Sequence, residues 1–314
     1  MAKNTFNKLS GSYQSNWASY QIYDPNVIDN VDRNVQLHNQ ITNGRSSAAS
    51  CINVLGHLGT TGKETDLISF LNYFGLNVTS IVPFPTGVDI NGEKYNDKGN
   101  VVFEWIGPKE SLINERGGKR GQNRTSIDAY ILVKIDGKVT QLLIEWKFTE
   151  TYHSEQHLRK FSGSTGIERL RRYSNVLVHL RNHRMLLNLN DNEALGLYDL
   201  GYEPYYQLLR MTLLAKMTTP LQLTNEINIE DYRIVHLTHS QNMELNTLSQ
   251  KHLKYAPALQ NLIGENLHNV WKERILSPFE PEKFVGGHWC QQRINFPQFQ
   301  RLNNPHYHHF TPNG

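Results

Sequence analysis

Apolar positions gather into two runs on either side of a short polar break from Thr125 to Glu150, TSIDAYILVKIDGKVTQLLIEWKFTE. Both runs read as strands, along which side chains alternate faces, and Val, Ile, Leu, Tyr and Trp populate them as a pleated surface favours. Asp136-Gly137 between them suits a two-residue hairpin turn with positive φ at both positions. The predicted hairpin pairs Ile135 with Lys138, which puts Asp128 opposite Glu145 and Ser126 opposite Lys147. Ile127, Ala129, Ile131, Val133 and Ile135 then share an apolar face with Leu142, Ile144 and Trp146, while Asp128, Glu145 and Lys147 share the reverse face. A slip of one residue would bury all three charges, so the register is well determined.

The rest of the chain is ordered around this hairpin. Residues 1–45 are polar and read as an arm or capping layer, helical over Val27 to Thr42. Ser46 to Leu58 reads as a helix broken by Gly56, Gly59 and Gly62, and Leu67, Ile68, Leu71 and Phe74 give Lys63 to Phe74 an amphipathic pattern that Gly75 closes. Residues 78–99, rich in Pro and Gly, read as a long loop or short hairpin. Val101 to Ile106 reads as a strand in which Phe103 and Trp105 face away from Glu104. After the hairpin come helices at Ser154 to Phe161, Gly166 to Leu177 and, behind Pro204, Tyr205 to Met217. Tyr232 to Thr238 reads as a buried strand, and one helix near Leu253 to Ile275 precedes a Pro/His/Gln-rich tail. The expected organisation is an arm (1–45), a core (46–240) and a C-terminal extension (241–314), packed as one domain.

Composition narrows the class. The 314 residues have mean hydropathy -0.54, and no apolar run approaches the roughly 18 residues of a membrane helix. The first residues lack the apolar stretch of a secretion signal, and two cysteines, Cys51 and Cys290, make no disulfide framework, so a cytoplasmic location is expected. A net charge of +3 permits nucleic-acid binding without arguing for it. Without a Ser-His-Asp ordering or a Walker-type glycine loop, acyl transfer and ATP hydrolysis are disfavoured.

Chemistry concentrates on the hairpin's polar face. Carboxylates directly opposite one another sit about 5 Å apart at Cβ and repel. A shared proton or a cation relieves that, and an oxygen-rich pair suits a hard ion such as Mg²⁺ that keeps several waters. With Lys147 beside it, the set is equipped for phosphodiester hydrolysis. The plain alternative is the solvated side of a sheet.

These residues resemble the PD-(D/E)xK, or restriction-endonuclease-like, nuclease superfamily. Its signature is an Asp on one strand and Glu-x-Lys on the next, matched here by Asp128 and by Glu145-Trp146-Lys147, with Ile127 where the superfamily has Pro. The close resemblance covers about residues 110–150. It implies an α/β (α+β) fold with a central mixed sheet flanked by helices. It also implies Asp128 and Glu145 as metal ligands, Lys147 as the cationic helper, Mg²⁺ (or Mn²⁺ in its place) as cofactor, and DNA as substrate. A homodimer would suit cleavage of two strands. The alternative function is a nucleic-acid-binding subunit with little catalysis, within a defence, repair or mobile-element complex.

Several other residues bear on the site. Arg116, Lys119, Arg120 and Arg124 belong to a Gly-rich basic stretch that leads into the Asp128 strand, and they are candidates for phosphate contact. Glu104 is the first candidate for a third acid, with Glu64 and Glu150 as alternatives. Gln207 and Arg210 lie one helical turn apart and either face the site or form a solvated helix edge. Arg169, Arg171 and Arg172 are either backbone contacts or a solvated run. His288, Cys290, His306, His308 and His309 have zinc-capable side chains but no recognised paired spacing.

Overall fold

The computed structural model describes residues 46–85, 99–108, 110–116, 124–148, 159–181, 196–240, 257–276 and 280–289, together with Val27, Val31 and isolated positions between those spans. Its strands are β1 (Ser80–Val82), β2 (Asp89–Ile90), β3 (Glu93–Lys94), β4 (Val102–Trp105), β5 (Ile127–Ile135), β6 (Lys138–Lys147), β7 (Leu221–Gln222), β8 (Asn228–Ile229), β9 (Asp231–His239) and β10 (Phe284–Trp289). The helices are α1 (Ser47–Cys51, continued in wider turns over Ile52–Gly56), α2 (Glu64–Tyr73), α3 (Gly163–Arg181), α4 (Tyr205–Met217) and α5 (Leu267–Asn269, continued over Val270–Leu276).

Six strands form one mixed sheet in the order β1-β5-β6-β9-β10, with β4 also paired to β5. β5 and β6 are antiparallel and pair from Ile135 with Lys138 to Ala129 with Ile144, the register expected from the turn. Asp136 and Gly137 have φ of 51° and 78°, as that turn requires. β6 and β9 are parallel, as are β9 and β10.

Each face of the sheet carries its own core. Tyr130, Leu132, Leu143, Ile234 and Phe284 pack with α3, α4 and α5 residues on one side. Ala129, Ile131, Val133, Leu142, Ile144, Trp146, Val235 and Leu237 pack with α1 and α2 residues on the other. The hairpin is therefore covered on both faces. A sheet buried twice over is the setting in which charged residues appear only for a reason.

Four expectations need correction. Gly56 lies inside the first helix rather than breaking it, and a Cβ there would lie 2.3 Å from Val27 Cγ1, so the glycine serves the close approach of the two segments. Ile127 joins the α3–α4 core, not that of Ala129. Phe103 and Trp105 likewise fall in opposite cores, because Glu104 between them has φ of 53° and shifts the phase of the strand. The helix expected near 253–275 is interrupted: Gly264 is left-handed at φ 85°, and Asn266 starts α5 by accepting from the N–H groups of His268 and Asn269. The helices expected at 27–42 and 154–161 lie largely outside the described residues.

β10 falls in the stretch read as extension and tail. Its Gly286-Gly287 pair gave no strand signal, yet both positions have a structural cause. A Cβ at 286 would lie 2.3 Å from His268 Cγ, and one at 287 would lie 2.4 Å from Phe74 Cδ1.

Candidate active site

The acid-bearing positions form one row across the sheet. Trp105 pairs with Ile127 and Phe103 with Ala129, so Glu104 lies across from Asp128. On the other side of β5 the register carries Asp128 toward Glu145, and Glu145 in turn pairs with His236 on β9.

Local bonding holds this row in place. Regular β5–β6 pairing stops at Ala129 and Ile144, and beyond it the Trp146 N–H donates to Asp128 Oδ2 at 2.8 Å. Lys147 Nζ donates to Glu145 Oε1 at 2.5 Å. Ser126 Oγ donates to Glu104 Oε2. Helix α1 braces the strand end, with Trp146 Nε1 donating to Ser50 Oγ at 3.1 Å and Phe148 N to Ser47 Oγ at 3.0 Å.

Glu145 and Lys147 are 2% and 6% exposed, so they are not the solvated side of a sheet. Burial pushes the Asp128 carboxyl well above the usual carboxylate range, the negative charge of Glu145 adds to this, and Glu104 adds less. Lys147 and the Trp146 N–H pull it back down. Burial by itself would lower Lys147, but Glu145 first, then Tyr152, Asp128 and Glu150, outweigh it and hold the ammonium above an ordinary lysine. Burial and the charges of Asp128, Glu104 and Glu145 raise the Cys51 thiol as well, which places that thiol near the acidic row. Among the described residues, no three His, Cys, Asp or Glu side chains converge as a ready metal cage.

The other candidates divide. Glu64 caps its own loop, its Oε1 accepting from Gly62 N and Asn100 Nδ2, each at 3.1 Å. Glu150 Oε2 accepts from Phe148 N at 2.8 Å, close behind Lys147. Arg116 is exposed and pairs with Glu168 at 3.1 Å. Arg124 is buried, and its Nη2 donates to the carbonyls of Ile106 and Pro108 at 3.0 and 2.5 Å, so it braces the loop where it enters β5. Lys119 and Arg120 lie outside the described residues, as do Cys290, His306, His308 and His309. His288 is described: its Nδ1 lies 2.8 Å from Thr238 Oγ1, and its ring stacks on His268 at 5.5 Å.

Gln207 and Arg210 are not a solvated helix edge. Gln207 accepts from Tyr152 OH at 3.2 Å, and Arg210 lies 3.9 Å from Glu115. Sequence reasoning missed Glu115, which is buried and accepts from Thr125 N (2.5 Å), Thr125 Oγ1 (2.7 Å) and Tyr173 OH (2.9 Å). Its only sequence signal was an acid just before the basic stretch. His236 was missed too. It is fully buried, its Nδ1 lies 2.8 Å from His268 Nε2, and its Nε2 has no partner among the described residues.

A mixed sheet flanked by helices, with an acidic hairpin at its centre, defines an α/β protein of the restriction-endonuclease class. The chain belongs to the family described as Restriction Endonuclease associating with ARP, whose model matches residues 11–285. No curated protein and no solved structure matches it.

Proposed function

We propose that this chain is a Mg²⁺-dependent endonuclease that hydrolyses phosphodiester bonds of DNA, with Mn²⁺ able to substitute. The observation that carries this reading is the joining of Asp128 to the Glu145-Trp146-Lys147 strand: one carboxylate on the Trp146 N–H, the other on the Lys147 ammonium. A hard divalent cation fits the donor set. Asp128 and Glu145 supply carboxylate oxygens with Glu104 in the same row, and the upward shift of Asp128 reflects its burial first and then the negative charge of Glu145.

When bound, such an ion activates water and polarises the phosphate. Asp128 and Glu145 are the proposed ligands, and Glu104 is the third acid. The Lys147 ammonium, fixed by Glu145, presents positive charge to the phosphate as charge builds in the transition state. Arg116, Lys119 and Arg120 would contact the DNA backbone. Restriction or phage defence in the cytoplasm is the setting that fits the family description, which also implies a partner, ARP.

That partner is the one observation that favours a second reading, a nucleic-acid-binding subunit with little catalysis of its own. Cleavage of plasmid and short duplexes in Mg²⁺ or Mn²⁺ separates the two. Wild type is expected to cut and Asp128→Ala and Lys147→Ala to lose cleavage. Cleavage that survives both substitutions overturns the site. Salt-dependent binding without turnover in any divalent metal favours the subunit.

A further inference from the structure

Three cations meet at one aromatic ring on the α4 side of the sheet. The Arg210 guanidinium lies 4.8 Å from the centroid of Tyr206, the Lys160 ammonium 5.8 Å and the Arg169 guanidinium 5.9 Å. A fourth cation, Arg172, lies 6.0 Å from the ring of Tyr173, which packs edge-on against Tyr206. Cations over a ring face gain from its quadrupole, but gathering several at one ring sets them against each other.

Carboxylates do not balance this group. Glu203 lies 3.3 Å from Lys160, and Glu115 lies 3.9 Å from Arg210. Glu115 already accepts from Thr125 and Tyr173. Arg169 donates Nη1 to the Lys160 carbonyl at 3.2 Å and pairs with no carboxylate among the described residues. Arg210 Nε is buried without a partner among them. The side chains of Lys160 and Arg210 keep 18% and 21% of their surface exposed, so neither is sealed inside the core.

The cluster also adjoins the acidic row. Glu115 binds Thr125, which leads straight into β5 and Asp128. On the other flank, Tyr152 bonds Gln207 on α4 and acts electrostatically on Lys147.

We infer that Lys160, Arg169 and Arg210, gathered around Tyr206, form a second phosphate-binding site that grips the DNA backbone beside the scissile bond. This rests on the nuclease reading above. Guanidinium groups with free donors match phosphate oxygens, and the ring holds them in place before the strand arrives.

The test is anisotropy of a fluorescein-labelled 20-base-pair duplex with the full chain, in EDTA, across a salt series. Arg169→Gln should weaken binding by about 3–10-fold and reduce the slope of log K against log salt by about one, the mark of one lost phosphate contact. Lys160→Gln should do the same, and Arg169→Lys should restore the slope. In Mg²⁺, Arg169→Gln should raise KM with kcat little changed. Folded Arg169→Gln and Lys160→Gln proteins that keep wild-type affinity and slope overturn this second site, even while the wild type binds and cuts. A wild type that binds no duplex at any salt overturns the nuclease reading and this site together. A loss confined to an RNA duplex overturns the assignment to DNA.

Discussion

Trp146 donates its main-chain N–H to Asp128 Oδ2 at 2.8 Å. The residue between Glu145 and Lys147 is thereby tied to the carboxylate from the opposite strand. The bond substitutes for a ladder hydrogen bond, since regular pairing has just ended at Ala129 and Ile144. One side chain thus closes the sheet locally, and on the proposed nuclease reading its second oxygen serves the metal.

Asp128→Asn keeps an oxygen that can accept from Trp146, so the protein should fold normally. Its cleavage rate should fall by about 10²–10³-fold, the scale of one lost electrostatic group. Mn²⁺ should raise the Tm of the wild type and not of this variant, because only a ligand bound to the folded state stabilises it. Asp128→Ala should cost about 1 kcal/mol more in urea unfolding, because the Trp146 donor loses its acceptor.

Lys147→Ala should be destabilising as well as inactive. Glu145 is 2% exposed, and removing its partner leaves a buried charge unpaired, a loss of about 3–5 kcal/mol. The double variant Glu145→Gln/Lys147→Met should recover much of that stability and remain inactive. Urea melts of the two proteins check this, and a double variant as unstable as the single one would contradict it.

Glu104→Gly should separate stability from activity. A non-glycine residue at φ 53° carries strain that glycine relieves, by about 1 kcal/mol. The variant should melt no earlier than wild type but cleave at least about tenfold more slowly, if its carboxylate serves as the third acid. A wild-type rate would remove Glu104 from the site.

His268 should make stability depend on pH. Burial, and then His288, lower its pKa from 6.5 to about 3 in the folded protein. The folded imidazole stays neutral while the unfolded one takes up a proton, so unfolding is favoured as pH falls below about 6.5. Without added metal, Tm should fall between pH 6.5 and 5, and His268→Gln should flatten that fall. An unchanged slope in the variant would contradict it.

The hairpin was legible because every cue that sets its register is local: an Asp-Gly turn, two flanking runs of strand-forming residues, and Asp128, Glu145 and Lys147 falling on one face. The strand at 102–105 was legible too, but not the reversal at Glu104, because a positive φ at a glutamate leaves no mark in composition. β10 was hidden for a different reason. It joins β9 in parallel across more than 40 residues of chain, and its two glycines read as loop. They are there because His268 and Phe74 occupy the space a side chain would need. Glu115 and His236 act through partners far away in the sequence, which a pattern of single residues cannot reveal.

The acidic row is supported unequally from end to end. β6 has an antiparallel neighbour on one flank and a parallel one on the other: Glu145 pairs with His236 on β9, and on the β5 side the next residue, Trp146, is tied to the Asp128 carboxylate. Among the described residues β4 pairs with β5 and no other strand, and Glu104 stands at its irregular point. Among the described residues, the strand that carries Glu145 is thus stitched to neighbours along both edges, and the strand that carries Glu104 along one.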